Sequence, residues 1–405
     1  MKRIANYVAL GGLLLATPAL AQEPLRIGIL TDLTGMNADV SGAGSILAAR
    51  MAVEDHGGTV AGRTVEVLGG DHQNRADFAA SITRKWVDEQ NVRAIFDLPT
   101  TPAALASIEV AKEVNAAVFV SAGASSDITG KYCADNVAHW TYDTYALAAG
   151  AATGLTDEQN KSWFFLTADY TFGENLQRDA TTAIEALGGV VAGTVRHPRE
   201  TNDMSSYLLQ AQASGANIIA LANSAGDTST AVKQAAEYGI IAGGQKVAAL
   251  LAFITDIDAI GLETAQGMAV TEAFYWDFDE QTRAWSDRFA ERHNGNRPTM
   301  AHAGVYSSVL NYLKAVEAIE GDGGREVMAQ LREMPIEDMF SRNGSLRKDG
   351  RMIHDIYVFE VKSPDDSTGR WDYYNTVATI PAGKAFRPLA ESECALLSDE
   401  DRKAD

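Results

Sequence analysis

The sequence lacks the short motifs by which many enzymes and nucleotide-binding proteins are recognised. No G-x-S-x-G nucleophile elbow, Walker loop, H-E-x-x-H zinc motif or G-x-G-x-x-G dinucleotide fingerprint occurs in its 405 residues. Basic residues are also scarce, since 34 lysines and arginines stand against 54 aspartates and glutamates. A surface of that charge repels phosphate backbones, so the composition argues against nucleic-acid binding. No cofactor site and no metal site is predicted.

Cysteine is nearly absent, with only Cys133 and Cys394 in the chain. In an oxidising compartment an even count indicates a disulfide, which here would tie the C-terminal tail to the first half of the chain. Two buried thiols are the alternative, because two residues define no spacing pattern. A zinc site is not expected, since it needs further ligands and no histidine lies near the pair.

Long apolar runs are missing too, apart from one at the N-terminus. Residues 1–21 combine Lys2 and Arg3, a short apolar run and an A-L-A sequence, which is the pattern of a cleaved secretory signal peptide. The run is too short to cross a bilayer, so no direct membrane insertion is expected. Without Lys2 and Arg3, the 34 basic residues become 32 against 54 acidic residues, a net charge of −22. We expect a secreted, acidic protein.

What the chain does have is an alternation of short apolar runs and helical patterns. A first series of predicted strands and helices covers residues 25–120 and ends with a strand at residues 117–120. A second series covers residues 163–250 and includes a strand at residues 190–195 and a helix at residues 205–213, and no helix is predicted between the two series. Helical patterns return at residues 280–293 and 303–320, and the end of the chain predicts two strands joined by the loop KSPDDSTGRWD. Such alternation is typical of parallel sheets covered on both faces. We therefore predict an α/β fold of two doubly wound parallel-sheet lobes.

Two hydroxyl-rich turns follow neighbouring predicted strands of the first series. One contains Thr100 and Thr101, and the other contains Ser125 and Ser126. Ligands of open parallel sheets bind outside the carboxyl ends of the strands. Thr101 followed by Pro102 fits a helix N-cap with proline at the first helical position, where unpaired amides and the helix dipole favour an anion. We predict that both turns face one anion; the alternative is that these hydroxyls only cap helices.

The second series offers a matching pair of turns, in TADYTFGENL and LANSAGDTST. Tyr170 and Phe172 of the first turn could cover an apolar ligand, and Asn223 and Asp227 of the second could bond its polar end. A helix N-cap is the alternative role for Asp227. Tyr145 lies between the two series, where a hinge would run, and is either a core residue or a wall of the pocket.

Several segments together resemble one known family. A signal peptide is followed by LRIGILTDLTGMNADVSGAGSILAARMAVEDHGG, then VFVSAGASSDITG, then ADYTFGENL. In this order they resemble the periplasmic solute-binding proteins of ABC importers, most of all the branched-chain amino acid type with the type I periplasmic binding fold. The likeness runs over nearly the whole mature chain.

The resemblance implies a ligand held between the lobes and a set of residues that hold it. In relatives that bind amino acids, hydroxyl-rich turns of the first lobe take the carboxylate. Those turns match Thr100, Thr101, Ala124 and Ser125 of this sequence. The aromatic residue before a glycine in the second lobe matches Phe172.

One departure from the family pattern concerns the ammonium group of an amino acid. The family places an acidic partner in a loop that here reads AALLAFITD, which holds no acid before Asp256. Leu251 and Phe253 of that loop would suit an apolar or aromatic acid better. An amino acid and an aromatic acid both remain possible ligands from the sequence.

The family architecture also implies a hinge that the chain crosses three times. On that basis lobe one comprises residues 25–141 plus 274–348, and lobe two comprises residues 142–273 plus 349–383. Residues 384–405 form a C-terminal tail.

We thus expect a periplasmic binding protein without catalytic activity. It would capture a small carboxylate-bearing solute between closing lobes and deliver it to an inner-membrane ABC permease. A secreted α/β hydrolase and a ligand-sensing domain of a membrane receptor are the alternatives. The absence of a nucleophile motif argues against the first, and the absence of a membrane-spanning segment argues against the second.

Overall fold

The computed structural model describes residues 23–403, so the expected signal peptide at residues 1–21 lies outside the described residues. Most strands belong to two large sheets. Their bounds are β1 Leu25–Thr31, β2 Thr59–Val60, β3 Arg63–Asp71, β4 Val92–Asp97, β5 Ala117–Val120, β6 Val137–His139, β7 Ser162–Ala168, β8 Val190–His197, β9 Ile218–Ala222, β10 Lys246–Ala249, β11 Ala269–Glu272, β12 Ser345–Leu346, β13 Met352–Ile353, β14 Ile356–Val361 and β15 Tyr374–Ile380.

Helices connect the strands and cover the faces of the sheets. Their bounds are α1 Gly42–His56, α2 Ala76–Glu89, α3 Thr101–Glu113, α4 Thr144–Leu155, α5 Thr171–Ala186, α6 Ser205–Ala213, α7 Gly226–Glu237, α8 Ile254–Ile260, α9 Leu262–Ala265, α10 Glu280–Arg292, α11 Met300–Ile319, α12 Gly324–Glu333 and α13 Ala382–Ala385.

The first sheet has the strand order β2-β3-β1-β4-β5-β6. Strand β1 pairs in parallel with β3 and β4, while β2 and β3 form an antiparallel hairpin at the edge. The central strands are buried on both faces because helices cover them, which explains their continuous apolar sequences. Phe96 of β4 stacks on Phe119 of β5 at 4.8 Å between ring centroids, and Tyr312 of α11 meets both rings edge-on.

The second sheet has the strand order β15-β14-β11-β10-β9-β7-β8. Strands β7 to β11 are parallel, and the C-terminal pair β14 and β15 adds to β11 in antiparallel fashion. The predicted α/β class with two sheet-based lobes is therefore confirmed, with an antiparallel edge on the second sheet.

The chain passes between the two sheets more than once. Helices α10 to α12 follow the parallel part of the second sheet in the sequence, yet α11 and α12 pack on α1, β4 and β5. Near the sheets' junction, Arg351 donates a hydrogen bond of 2.7 Å to the Trp140 carbonyl oxygen, and a ring nitrogen of His354 lies 2.6 Å from the Thr141 carbonyl oxygen. The boundaries predicted for the two lobes stay a prediction.

The C-terminal tail is anchored to the first half of the chain. Cys133 and Cys394 form a disulfide that joins residues 261 positions apart, as the sequence predicts. Leu389 and Leu397 pack around Cys394 in a small apolar cluster. The tail thereby brings Arg387 against Tyr145 of α4, with its guanidinium carbon 5.7 Å from the ring centroid.

Candidate functional site

A cavity lies where the carboxyl ends of the two parallel sheets face each other. It contains about 460 Å³ of space, part of it open to solvent. Loops after β1, β4, β5, β7, β8, β9 and β10 contribute to it, together with one residue from the connection between the sheets. The lining residues are Met36, Asn37, Val40, Pro99, Thr100, Thr101, Ala122, Ala124, Tyr142, Tyr170, Phe172, Arg199, Ser224, Leu251 and Phe253.

Two buried hydroxyl groups of the first lobe are the most informative feature of this cavity. Thr100 is the N-cap residue of α3 and Thr101 is its first residue, one position earlier than the sequence predicts for the cap. The side chains are 7% and 2% exposed, and within residues 23–403 neither hydroxyl oxygen has a hydrogen-bond partner. Buried hydroxyls are normally paired, so these two are available to a ligand.

The turn that carries these threonines has an unusual backbone. Asp97 and Leu98 have φ angles of +81° and +60°, in the left-handed region that non-glycine residues rarely occupy. The Ser41 hydroxyl lies 2.9 Å from each carboxylate oxygen of Asp97, and the Leu98 amide donates to the Leu30 carbonyl oxygen at 3.0 Å. Strain of this kind is retained where the surrounding structure requires it, most often at functional sites.

Aromatic rings form the other side of the cavity. Tyr170 and Phe172 lie 5.8 Å apart between ring centroids, and Tyr142 meets Phe253 edge-on at 6.1 Å. The Tyr142 hydroxyl is already bonded to the Ala122 carbonyl oxygen at 2.7 Å. These rings can cover a flat or branched apolar group, because aromatic faces bury large areas with little loss of side-chain freedom.

Arg199 is the single charged side chain among the described residues that line the cavity. Its guanidinium carbon lies 4.8 Å from the centroid of the Tyr170 ring, and Nη2 lies 3.6 Å from the Met36 sulfur of the first lobe. The lining contains no aspartate, glutamate, histidine or cysteine from residues 23–403. The cavity therefore offers positive charge and hydrogen-bond donors but no general base and no acidic partner for an ammonium group.

Six of the ten ligand-binding residues predicted from the sequence line the cavity, and they are Thr100, Thr101, Ala124, Tyr170, Phe172 and Phe253. Ser125 and Tyr145 do not. The Ser125 hydroxyl is fully buried, receives a 2.6 Å hydrogen bond from Asn175 of α5 and accepts one from the Asp127 amide. Ser125 thus joins the lobes, and Tyr145 faces Arg387 of the tail.

Asn223 and Asp227 also lie outside the cavity, because both hold the turn that follows β8. Asp227 accepts hydrogen bonds from the amides of Glu200 and Thr201, at 3.2 and 2.9 Å. It lies in the first turn of α7 and does not act as its N-cap. Asn223 bonds the ring of His197 at 3.1 Å, and this ring ends β8. Both side chains therefore position the segment that carries Arg199.

The sequence did not single out Arg199, Met36, Asn37 or Ser224 as ligand-binding residues. Met36 and Asn37 follow the first strand, so the strand-end rule applied to every strand would have included them. Ser224 is the neighbour of Asn223, and adjacent side chains of an extended segment point in opposite directions. Arg199 follows a strand whose end was placed too early, at residue 195 instead of His197.

A larger cavity of about 590 Å³ lies elsewhere, bordered by Phe274, Phe278, Phe340 and Tyr357. Phe278 and Tyr357 pack at 4.5 Å between centroids. Among the described residues, no buried polar side-chain atom that lines this cavity lacks a hydrogen-bond partner. This second cavity is larger than the one between the sheet ends, but the unpaired hydroxyls belong to residues that line the cavity between the sheet ends. Donors without partners decide which of the two recognises a polar solute.

A buried carboxyl group beneath the cavity predicts a pH-dependent stability. Asp256 is 7% exposed and accepts a 2.9 Å hydrogen bond from the Phe253 amide, and burial raises its pKa to about 6. The folded form therefore binds this proton more tightly than the unfolded chain, so the stabilisation is lost as pH rises from about 4 to 6. The D256N variant keeps an acceptor for Phe253 and has no charge to bury.

We expect D256N and the wild type to be similarly stable at pH 4, and D256N to be more stable by about 2–3 kcal/mol at pH 8. Urea unfolding across this range measures the difference. A difference that stays constant with pH would contradict the assignment.

The comparisons with known proteins agree with this geometry. A family model described as "Periplasmic binding protein" matches residues 24–369. The chain belongs to the periplasmic binding protein family. A periplasmic binding protein from Burkholderia mallei is 43% identical, with a TM-score of 0.89 over 93% of this chain and 99% of that one. A Leu/Ile/Val-binding protein homolog 6 from Brucella abortus is 26% identical over 93% of this chain and 96% of its own length.

A third comparison shows a shared fold at lower identity. The solute-binding protein of an ABC transporter from Rhodopseudomonas palustris, solved in complex with 4-hydroxybenzoate, is 20% identical. Its TM-score is 0.79, over 89% of this chain and 97% of that one.

Together the matches identify this periplasmic binding protein as one of the branched-chain amino acid type, with the type I fold. Family members are substrate-binding proteins rather than enzymes. Within residues 23–403, none of the helices is long and apolar enough to cross a membrane.

Proposed function

We propose that this periplasmic binding protein captures a small carboxylate-bearing solute between its lobes and delivers it to an ABC permease in the inner membrane. One observation carries the proposal: the hydroxyls of Thr100 and Thr101 are buried and unpaired, and both residues line the cavity between the sheets. Export to the periplasm through the signal peptide at residues 1–21 is part of the same proposal.

A carboxylate fits the first-lobe side of the cavity for two physical reasons. No side chain caps the start of α3, where Thr101 and Ala103 carry backbone N–H groups and Pro102 carries none. The helix dipole adds partial positive charge at the same place. Thr100 and Thr101 add two hydroxyl donors beside them. A carboxylate has several acceptor positions on two oxygens, so it can use all of these donors at once.

The apolar body of the solute would lie against the rings of the second lobe and its hinge. Phe172, Phe253 and Tyr142 are buried and pack around the same space, with Leu251 beside them. No acidic side chain of residues 23–403 lines the cavity, which supports an apolar or aromatic acid over an amino acid. The proposal includes both apolar or aromatic acids and amino acids as ligands.

Ligand binding would also drive the two lobes together. The cavity walls come from both sheets, so a solute makes its full set of contacts only when the lobes are closed. It then shifts the open–closed equilibrium by its difference in affinity for the two forms. We expect the ligand-bound protein, and not the ligand-free protein, to stimulate ATP hydrolysis by its permease in lipid nanodiscs.

Replacing Thr100 or Thr101 with valine tests the anion site. Each variant removes one hydroxyl at nearly constant shape, and we expect the affinity for a carboxylate to fall about 10- to 100-fold. The free energy of unfolding without ligand should stay the same or rise, because a buried unpaired hydroxyl is removed. Calorimetric titration and urea unfolding measure the two quantities.

The matched control is T83V, which removes a buried hydroxyl of α2 that is bonded to the Ser107 hydroxyl of α3. It should lower stability and leave affinity unchanged. Undiminished carboxylate affinity in the T100V/T101V double variant would refute the anion site.

A further inference from the structure

Arg199 differs from the nearby Arg196 in having no carboxylate partner within residues 23–403. Arg196, three residues earlier, is bonded to Asp169 and Glu174 at 2.9 and 2.6 Å. Within residues 23–403, by contrast, Arg199 has no carboxylate oxygen within 4.0 Å, and its buried Nε atom has no hydrogen-bond partner. A guanidinium group presents five donors in a fixed fork, so several donors of Arg199 are free for a ligand.

The turn that carries Arg199 is built to hold it at the cavity. Glu200 has a φ angle of +60°, which turns the chain sharply after β8. The Asp227 carboxylate fixes this turn through the amides of Glu200 and Thr201, and His197 anchors its start through Asn223. The Tyr170 ring supports the guanidinium group from one face. Arg199 therefore belongs to the second lobe but reaches Met36 of the first.

We propose that Arg199 is the second-lobe partner of the ligand's anionic group, and that it makes the cavity select carboxylates without an α-ammonium group over amino acids. This inference rests on the proposed function, since it names the class of carboxylate that the same site accepts. It goes further by assigning the selection to one residue.

The charges around the cavity explain why an α-ammonium group is disfavoured. An amino acid carries its positive charge one bond away from the carbon that bears the carboxylate, so both groups would lie near Arg199. Asp227 and Asp256, on the helices that follow two of the lining loops, already accept hydrogen bonds: Asp227 from the amides of Glu200 and Thr201, and Asp256 from the amide of Phe253. An ammonium group would lose its hydration and gain no acidic partner, which is unfavourable in a closed site.

Pairs of ligands that differ only in the amino group test the inference. Leucine is compared with 4-methylpentanoate, and phenylalanine with 3-phenylpropanoate, by calorimetric titration of the full mature chain. We expect the wild type to bind at least one of the two deaminated acids about 100-fold or more tightly than its amino acid, the effect of a buried unpaired charge on binding.

Three variants assign the selectivity to Arg199. R199Q should weaken binding of the deaminated acid about 10- to 100-fold and leave leucine binding unchanged or slightly stronger. The ratio of the affinity for the deaminated acid to the affinity for its amino acid therefore falls towards one. R199K keeps the charge without the planar fork and should recover part of the ratio. R196Q makes the same change of net charge three residues away and should leave the ratio unchanged.

The outcomes separate this inference from the proposed function. Wild-type protein that binds both leucine and phenylalanine as tightly as their deaminated partners, or R199Q with an unchanged ratio, would overturn the role of Arg199 while carboxylate capture stands. Wild-type protein that binds no carboxylate of either pair, nor 4-hydroxybenzoate, would overturn both.

Discussion

Replacing Arg351 with methionine should lower the free energy of unfolding by about 3–5 kcal/mol, as expected when one partner of a buried ion pair is removed. Arg351 is 1% exposed, bonds the carbonyl oxygens of Trp140 and Met352 at 2.7 and 2.9 Å, and lies 3.5 Å from the Asp143 carboxylate. Burial raises the pKa of Asp143, whereas Arg351 lowers it. R351M would leave that carboxylate buried without its cation.

Two further variants show whether charge burial is the cause. The double variant R351M/D143N should recover part of the loss, because asparagine can still accept from the Ala146 amide as Asp143 does and has no charge. R325M, which breaks an exposed pair with Asp135, should cost less than about 1 kcal/mol. Chemical denaturation measures the free energy of unfolding of all three variants. Equal losses for R351M and R325M would show that the pair at the junction of the lobes contributes no more than a surface pair.

Replacing Gly173 with alanine should destabilise the second lobe and weaken ligand binding together. A Cβ atom at this position would lie 2.1 Å from the Ala168 carbonyl oxygen and 3.0 Å from that of Ala222. Both are backbone atoms at the ends of β7 and β9, so the first turn of α5 must move away from the sheet. We expect a loss of about 3 kcal/mol, at the upper end of the usual range for overpacking. Phe172 would move with the turn, so affinity should fall as well.

The matched control is G226A in the first turn of α7. A Cβ atom there meets nothing within 4 Å, and Gly226 is not among the glycines with positive φ. We expect unchanged or slightly higher stability, since alanine restricts the unfolded chain more than glycine does. G173A with wild-type stability and affinity would show that α5 can shift without cost.

The parallel strands and their helices could be predicted because their patterns are local and periodic. The helix at Ser205–Ala213 was predicted to the residue, and β5 at Ala117–Val120 likewise. Helix α4 was missed, because its sequence TYALAAGAATGL is apolar or small nearly all round. The structure packs α4 against α5 on one side and the second sheet on the other, so an amphipathic stripe never forms.

Within the candidate site, the sequence could predict only residues that follow the ends of predicted strands. Thr100 and Thr101 were predicted because they directly follow a strand and begin a helix. Ser125 and Ala124 are adjacent, yet Ala124 lines the cavity while Ser125 bonds Asn175 of α5, and the local sequence does not distinguish the two positions. The position of Arg199 depends on contacts with Asp227, 28 residues later in the sequence, which no local pattern reveals.

A crystal structure of the mature chain with a bound carboxylic acid tests the central claim most directly. We predict the acid in the cavity between the sheet ends, with carboxylate oxygens about 2.7–3.2 Å from the hydroxyls of Thr100 and Thr101, within hydrogen-bond distance. An acid bound instead beside Phe278 and Tyr357, with both threonine hydroxyls still unpaired, would contradict it.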